Sequence, residues 1–201
     1  KVKETMLVHF DDEELFEDEF FKISNNKFAV CDVDFDGKEE LLVSIGSAPT
    51  AGMVAVLYDY NEASGEVVKE FSSYVDVTFY DNGILKVSAS HNQGLAGDSL
   101  WPYTLYKYNK QTDTYDLIAY VDAWDKNISG KNSIGELFPE EIDTDNVGVV
   151  YYIMENGYDL QLATPISKSD YEAWVKSYLN GAKEVTLAYY DLTEEYINDF
   201  D

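Results

Sequence analysis

The sequence is poor in cysteine, histidine and basic residues, and each shortage excludes a class of chemistry. The single cysteine, Cys31, rules out a disulfide within the chain, and its apolar neighbours favour a small buried side chain over a catalytic thiol. Two histidines, His9 and His91, leave few candidates for acid–base catalysis. The 14 basic residues face 39 acidic ones, and the net charge of −25 opposes binding to nucleic acid or anionic lipid.

Long apolar runs are also missing, and we expect no signal peptide within the given sequence. No stretch approaches the roughly 20 apolar residues that span a membrane. The first residues, 1–5, are polar and do not resemble a signal peptide. Because the sequence does not start with Met, we expect it to begin downstream of a processed or trimmed segment.

Aromatic residues are abundant and favour β structure. The 17 Tyr and 10 Phe suit half-buried pleated surfaces. We predict a single domain over residues 1–201, of the α+β class, whose body is an antiparallel β-meander of roughly eight to ten strands. The expected strands are 27–31, 41–45, 53–60, 66–71, 75–80, 85–89, 103–109, 115–121, 147–154 and 158–163.

Helices are predicted near both ends of the chain. Residues 11–23 form an N-terminal helix with acidic residues in its first turn. A capping box begins at Ser169 and opens a C-terminal amphipathic helix. Its apolar face consists of Tyr171, Trp174, Val175, Tyr178 and Leu179. Residues 191–200 are expected to add a short closing helix.

Hairpin turns and a weak internal repeat organise the middle of the chain. Asn82-Gly83 and Asn156-Gly157 are strong signals for tight hairpins. The segment 57–61 (LYDYN) is echoed by 105–109 (LYKYN), and Gly65 and Asp113 follow at matching positions. A true repeat and two independently similar hairpins both explain this echo.

One acidic segment carries a specific chemical signal. Carboxylates stand at loop positions 1, 3, 5 and 9, with glycine at position 6, in the order Asp32, Asp34, Asp36, Gly37 and Glu40. The Lys38 carbonyl falls at position 7, where calcium loops use a backbone ligand. Position 12 is Val43, so the bidentate Glu of an EF-hand is missing, and a strand is predicted after the loop.

A structural Ca²⁺ site is the favoured interpretation of this segment. A solvated acidic turn and a catalytic metal site are the two alternatives. Mg²⁺ suits the pattern less well, since it prefers fewer protein ligands and keeps its waters.

This strand–loop–strand pattern resembles the calcium loops of FG-GAP and VCBS-type blades in integrin-like β-propellers. The resemblance implies that Asp32, Asp34, Asp36, the Lys38 carbonyl and Glu40 are the ligands. Such loops commonly have Gly or Asn at position 4, where this chain has Phe35. If that position requires a positive φ, Phe35 is strained.

More broadly, the chain resembles uncharacterised secreted and lipoprotein domains of Gram-positive anaerobes. The likeness rests on the segment 28–41, on the Tyr-rich hairpins and on the C-terminal stretch 171–199. It implies an extracellular or cell-surface location, including that of a lipoprotein whose signal has been removed, and it carries no known activity.

Two classes of function follow from these features. The first is a non-enzymatic binding or structural domain with one structural Ca²⁺, no catalytic residue and a protein or glycan partner. The alternative is a carbohydrate-active module, for sugar binding or glycoside hydrolysis. Aromatic residues near turns could stack on sugars, although packing in the core explains them as well: Tyr60, Trp101, Tyr103, Tyr108 and Trp124. A triad around His91 is not expected, because triad members normally come from separate segments.

Overall fold

The computed structural model describes residues 26–46, 53–61, 63–74, 76–89, 94–132, 134–160 and 162–198. The strands are β1 (Lys27–Cys31), β2 (Glu40–Gly46), β3 (Met53–Asn61), β4 (Glu66–Tyr74), β5 (Val77–Phe79), β6 (Ile84–Ser88), β7 (Tyr103–Asn109), β8 (Thr114–Asp125), β9 (Val149–Met154) and β10 (Tyr190–Asp191). The α-helices are α1 (Lys168–Leu179) and α2 (Glu194–Asn198). The predicted helix over residues 11–23, His9 and His91 lie outside the described residues.

These strands form two antiparallel sheets, each with five strands. Sheet 1 has the order β10-β1-β2-β3-β4, and sheet 2 has the order β5-β6-β7-β8-β9. Within each sheet, strands that follow one another in sequence pair with one another, and β10 returns from the C-terminal region to pair with β1. The predicted antiparallel β structure is therefore confirmed, although its strands are divided between two sheets, and the described part of the chain is mostly β structure with few helices.

The two sheets pack face to face through one apolar layer, which we call the inter-sheet core. Its buried members are Ala29, Val33, Leu42, Ala55, Leu57, Phe79, Leu85, Val87, Tyr108 and Tyr115. Phe71 of β4 joins the layer edge-on, with ring centroids 4.9 Å from Tyr106 and 5.5 Å from Tyr115. Burial of this apolar area is the main force that holds the sheets together.

The outer faces of both sheets are covered by C-terminal segments. Leu192 and Ile197 pack on sheet 1. On sheet 2, α1 packs the apolar side of Tyr171, Trp174, Tyr178 and Leu179 against a cluster around Leu105. The helix is capped by Ser167, whose hydroxyl accepts a hydrogen bond from the Asp170 amide, so it begins slightly before the expected Ser169. Within the described ranges, no helix has both the length and the apolar character needed to cross a membrane.

The two segments that echo each other in sequence form equivalent hairpins. Both β3–β4 and β7–β8 contain a register shift after the matching leucines, Leu57 and Leu105. In the first turn the Asn61 carbonyl accepts from the Gly65 amide at 2.8 Å, and in the second the Asn109 carbonyl accepts from the Asp113 amide at 2.9 Å. The likeness of the two segments is thus present in the backbone as well as in the sequence.

One expected element is wrong, and another begins later than expected. Residues 158–160 and 162–163 do not form the expected strand beside β9, and Tyr158, which is 56% exposed, donates from its hydroxyl to Asp122 Oδ2 at 2.8 Å. The expected closing helix over 191–200 begins only at Glu194, since Asp191 belongs to the strand that pairs with β1.

Candidate metal centre

The acidic loop connects the first two strands of sheet 1. Cys31 at the end of β1 pairs with Glu40 at the start of β2, so both ends of the loop are fixed by the sheet. Four of the predicted ligand residues each offer one carboxylate oxygen, and these oxygens all lie within 4.8 Å of one another: Asp32, Asp34, Asp36 and Glu40. That spacing suits a cation bound directly by several oxygens.

Two loop residues adopt the left-handed backbone conformation that the tight curvature requires. Gly37 has φ of 97° and Phe35 has φ of 64°. Glycine adopts such angles without steric cost, whereas a side chain with a β-carbon is strained there. Position 4 of this loop therefore does require a positive φ, and Phe35 carries the strain that this entails.

Backbone amides hold the carboxylates in place. The Asp36 amide donates to Asp34 Oδ1 and the Lys38 amide donates to Asp36 Oδ1, each at 2.8 Å. The Gly37 amide donates to Asp32 Oδ2 at 3.1 Å. The loop therefore fixes its side chains through its own backbone, and a cation would find the carboxylates already assembled.

Two of the carboxylates are deeply buried. Glu40 is 2% exposed and Asp34 is 3% exposed. The Val33 amide donates to Glu40 Oε2 at 2.8 Å. Even so, burial, reinforced by the neighbouring carboxylates, raises the pKa of Glu40 to about 8, and burial raises the pKa of Asp34 as well. Buried anions of one sign are costly unless a positive charge compensates them.

One loop oxygen lacks a hydrogen-bond partner. Asp32 Oδ1 is buried and accepts no hydrogen bond, while Asp32 Oδ2 is bonded to Gly37. A buried carboxylate oxygen without a hydrogen-bond partner is the kind of group that a metal ion satisfies.

Lys38 is a predicted ligand through its backbone carbonyl, while its side chain lies at the surface. Its carbonyl stays a predicted ligand. Its ammonium lies 3.3 Å from Asp36 Oδ2 and 3.8 Å from Asp59 Oδ2, and the side chain is 51% exposed. Such an exposed ion pair is screened by water and holds the side chain only weakly.

The structure adds a second acidic group that the sequence interpretation missed. Asp34, Glu70 and Asp113 also offer oxygens within 4.8 Å of one another. Glu70 lies at the register shift of β4, and Asp113 ends the β7–β8 turn with φ of 55°. The echo between the hairpins offered a signal for Asp113, which replaces Gly65 at a positive-φ position, but nothing local marked Glu70.

Most of the aromatic residues considered for sugar stacking belong to the core. Tyr103, Tyr108 and Trp124 are all buried, and Tyr60 is half-buried. Trp101 is 45% exposed, and its indole N–H donates to the Ala89 carbonyl. They do not form an exposed aromatic row.

Cys31 is half-buried at the end of β1. Burial, together with the neighbouring carboxylates, raises the pKa of its thiol. This disfavours the thiolate that nucleophilic catalysis would need.

No family model, curated protein sequence or solved structure compared with the chain gave a match.

Proposed function

We propose that this protein is a non-enzymatic extracellular or cell-surface domain, for binding or structural support, that carries a structural Ca²⁺ in its 32–40 loop. The observation that supports it most is the convergence of four carboxylates, with oxygens within 4.8 Å, two of them on buried side chains. We retain the α+β class with an N-terminal helix, and a lipoprotein or secreted origin, as parts of this proposal.

The chemistry of the loop favours calcium. All candidate ligand atoms are oxygens, which suit a hard cation, and a set of four carboxylates with a carbonyl is larger than Mg²⁺ usually takes from a protein. The high acidity of the chain, with a net charge of −25, adds self-repulsion that a bound divalent cation would reduce.

Thermal unfolding in millimolar Ca²⁺ and in excess EGTA tests this proposal. A ligand that binds only the native state raises the midpoint by mass action, so Ca²⁺ should stabilise the protein. Asp36→Asn should reduce this shift strongly, because it removes a ligand charge while its side-chain oxygen can still accept from the Lys38 amide. Asp98→Asn, at an exposed position outside both acidic groups, is the matched control and should keep the full shift.

A midpoint that is the same in Ca²⁺ and EGTA would refute the calcium proposal and leave the loop as a solvated acidic turn. An equal shift in Asp36→Asn and wild type would place the binding elsewhere.

The carbohydrate-active alternative has less support. Asp34, Glu40 and Glu70 are all more than nine-tenths buried, so a sugar ring could not reach them for hydrolysis. The buried positions of Tyr103, Tyr108 and Trp124 remove three of the rings suggested for sugar stacking.

A further inference from the structure

A second group of carboxylates lies where three separate segments meet beside the inter-sheet core. Asp34 comes from the acidic loop, Glu70 from β4 of sheet 1 and Asp113 from the β7–β8 turn of sheet 2. Unlike the loop site, whose four carboxylates lie within nine residues of sequence, 32–40, this group exists only because the two sheets pack together.

Glu70 provides an observation that does not depend on the clustering. The residue is 8% exposed, and both of its carboxylate oxygens are buried without a hydrogen-bond partner. Its ligand oxygen points into the group, within 4.8 Å of those of Asp34 and Asp113. Among the described ion pairs, none includes Glu70, and the nearby Lys38 ammonium is engaged by Asp36 and Asp59.

Among the described residues, one hydroxyl donates a hydrogen bond to this group, and it cannot satisfy all three carboxylates. Tyr108 donates to Asp113 Oδ1 at 2.6 Å, and its hydroxyl also acts to lower the pKa of Asp34. A phenol has one proton, so it can donate to only one of the two carboxylates. The buried hydroxyl of Tyr115, whose charged neighbours include Glu70, also lacks a hydrogen-bond partner.

We propose that Asp34, Glu70 and Asp113 bind a second divalent cation, Ca²⁺, which links sheet 1 to sheet 2. Carboxylates and a nearby hydroxyl form an all-oxygen environment suited to this ion. Asp34 belongs to both groups, so the two ions would share it as a bridging ligand. Glu70 and Asp113 lie outside the loop, so this site can be tested separately from the one proposed above.

Calcium stoichiometry measured by isothermal titration calorimetry on the 201-residue chain tests the inference. Wild type should bind two ions. Glu70→Gln and Asp113→Asn should each lose one ion or weaken it about 10-fold or more, because ligand charge sets the affinity. Asp36→Asn should lose the other ion, and Asp34→Asn should weaken both.

Both variants of the second site are expected to fold. Glu70→Gln replaces a buried carboxyl group with a neutral amide of the same shape, and asparagine tolerates the positive φ at position 113. Glu66→Gln, an exposed glutamate on the same strand, is the matched control and should bind two ions. Circular dichroism in EGTA verifies the fold of each variant.

The outcomes separate the two proposals. A single ion that Asp36→Asn abolishes and Glu70→Gln leaves unchanged would overturn the second site and keep the loop site. A single ion lost in Glu70→Gln but kept in Asp36→Asn would keep the second site and overturn the loop site. Absence of binding in wild type would overturn both.

Discussion

The hairpins β3–β4 and β7–β8 have equivalent backbones but differ in chemistry, and two of the candidate metal ligands, Glu70 and Asp113, come from those differences. At the register shift, β4 places Glu70 where β8 places Ile118. At the end of the turn, the first hairpin has Gly65 and the second has Asp113. Each hairpin therefore contributes one acidic residue that its counterpart lacks, which shows how one structural unit can supply either packing or ligands.

The connection before each hairpin differs in the same way. In sheet 1 the strands β1 and β2 are joined by the acidic loop, with Cys31 paired to Glu40. In sheet 2 the strands β5 and β6 are joined by a tight turn at Asn82-Gly83. The longer β1–β2 loop has room for several carboxylates, while the shorter β5–β6 turn only reverses the direction of the chain.

The equivalent leucines of the two hairpins also face different environments. Leu57 lies in the inter-sheet core, whereas Leu105 lies beneath α1, and both are fully buried. The face of sheet 1 that carries Leu57 therefore packs on sheet 2, whereas the face of sheet 2 that carries Leu105 packs against α1. The two positions should therefore respond differently to the same substitution.

We predict that Leu57→Ala lowers the free energy of unfolding by about 3–5 kcal/mol and Leu105→Ala by about 2–3 kcal/mol. Two sheets held by their hydrogen-bond ladders cannot close around a cavity at Leu57. The helix α1 has no buried residue and can settle toward the sheet, which partly fills the cavity at Leu105. Urea titrations measure both values, and equal losses would contradict the difference in packing.

The second prediction replaces Glu70 at the register shift of β4 by isoleucine, the residue type that β8 has at its own register shift. Glu70→Ile should raise the free energy of unfolding in EGTA by about 1–4 kcal/mol, because it replaces a buried carboxyl group without a hydrogen-bond partner by an apolar side chain of similar volume. In saturating Ca²⁺ the gain should shrink or reverse, since wild type then has a cation to compensate its carboxylate. Urea titrations in both buffers measure the change, with Glu66→Ile as the control on the exposed side of β4.

The pH dependence identifies the cause of that gain. Burial raises the pKa of Glu70 to about 9, from an ordinary value of 4.5. Between these values the native state binds more protons than the unfolded chain, so in EGTA the stability of wild type falls as the pH rises from about 5 to about 9. Glu70→Ile lacks this group, and its advantage should widen over the same interval. If the gain in unfolding free energy of Glu70→Ile does not change with pH, it arises from packing alone.

The loop site could be predicted because its information is local. Asp32, Asp34, Asp36 and Glu40 lie within one short segment, and alternate spacing around Gly37 is enough to suggest a cation. The Asn82-Gly83 hairpin was predictable for the same reason, since two residues define that turn.

The remaining features depend on contacts between distant segments. Glu70 reaches Asp34 and Asp113 through a register shift and the packing of two sheets, neither of which leaves a local pattern. The expected strand that is missing over residues 158–160 and 162–163 is a similar case, because Tyr158 donates its hydrogen bond to Asp122, 36 residues away in sequence. Sequence periodicity describes the surface of an element and does not identify which element covers it.

The smallest expected effect concerns the residues with positive φ in the β1–β2 loop and in the β5–β6 turn. Gly83 adopts φ of 77° in the turn of sheet 2, while Phe35 adopts φ of 64° in the loop of sheet 1 and is 45% exposed. Because a left-handed conformation costs a residue with a β-carbon roughly 1–2 kcal/mol and asparagine less, Phe35→Asn should raise the free energy of unfolding by about 1 kcal/mol. Phe35→Leu keeps the strain and should show no gain. Equal stability of both variants in urea titrations would show that the positive φ at Phe35 does not destabilise the protein. The loop and the Gly83 turn would then differ in length alone.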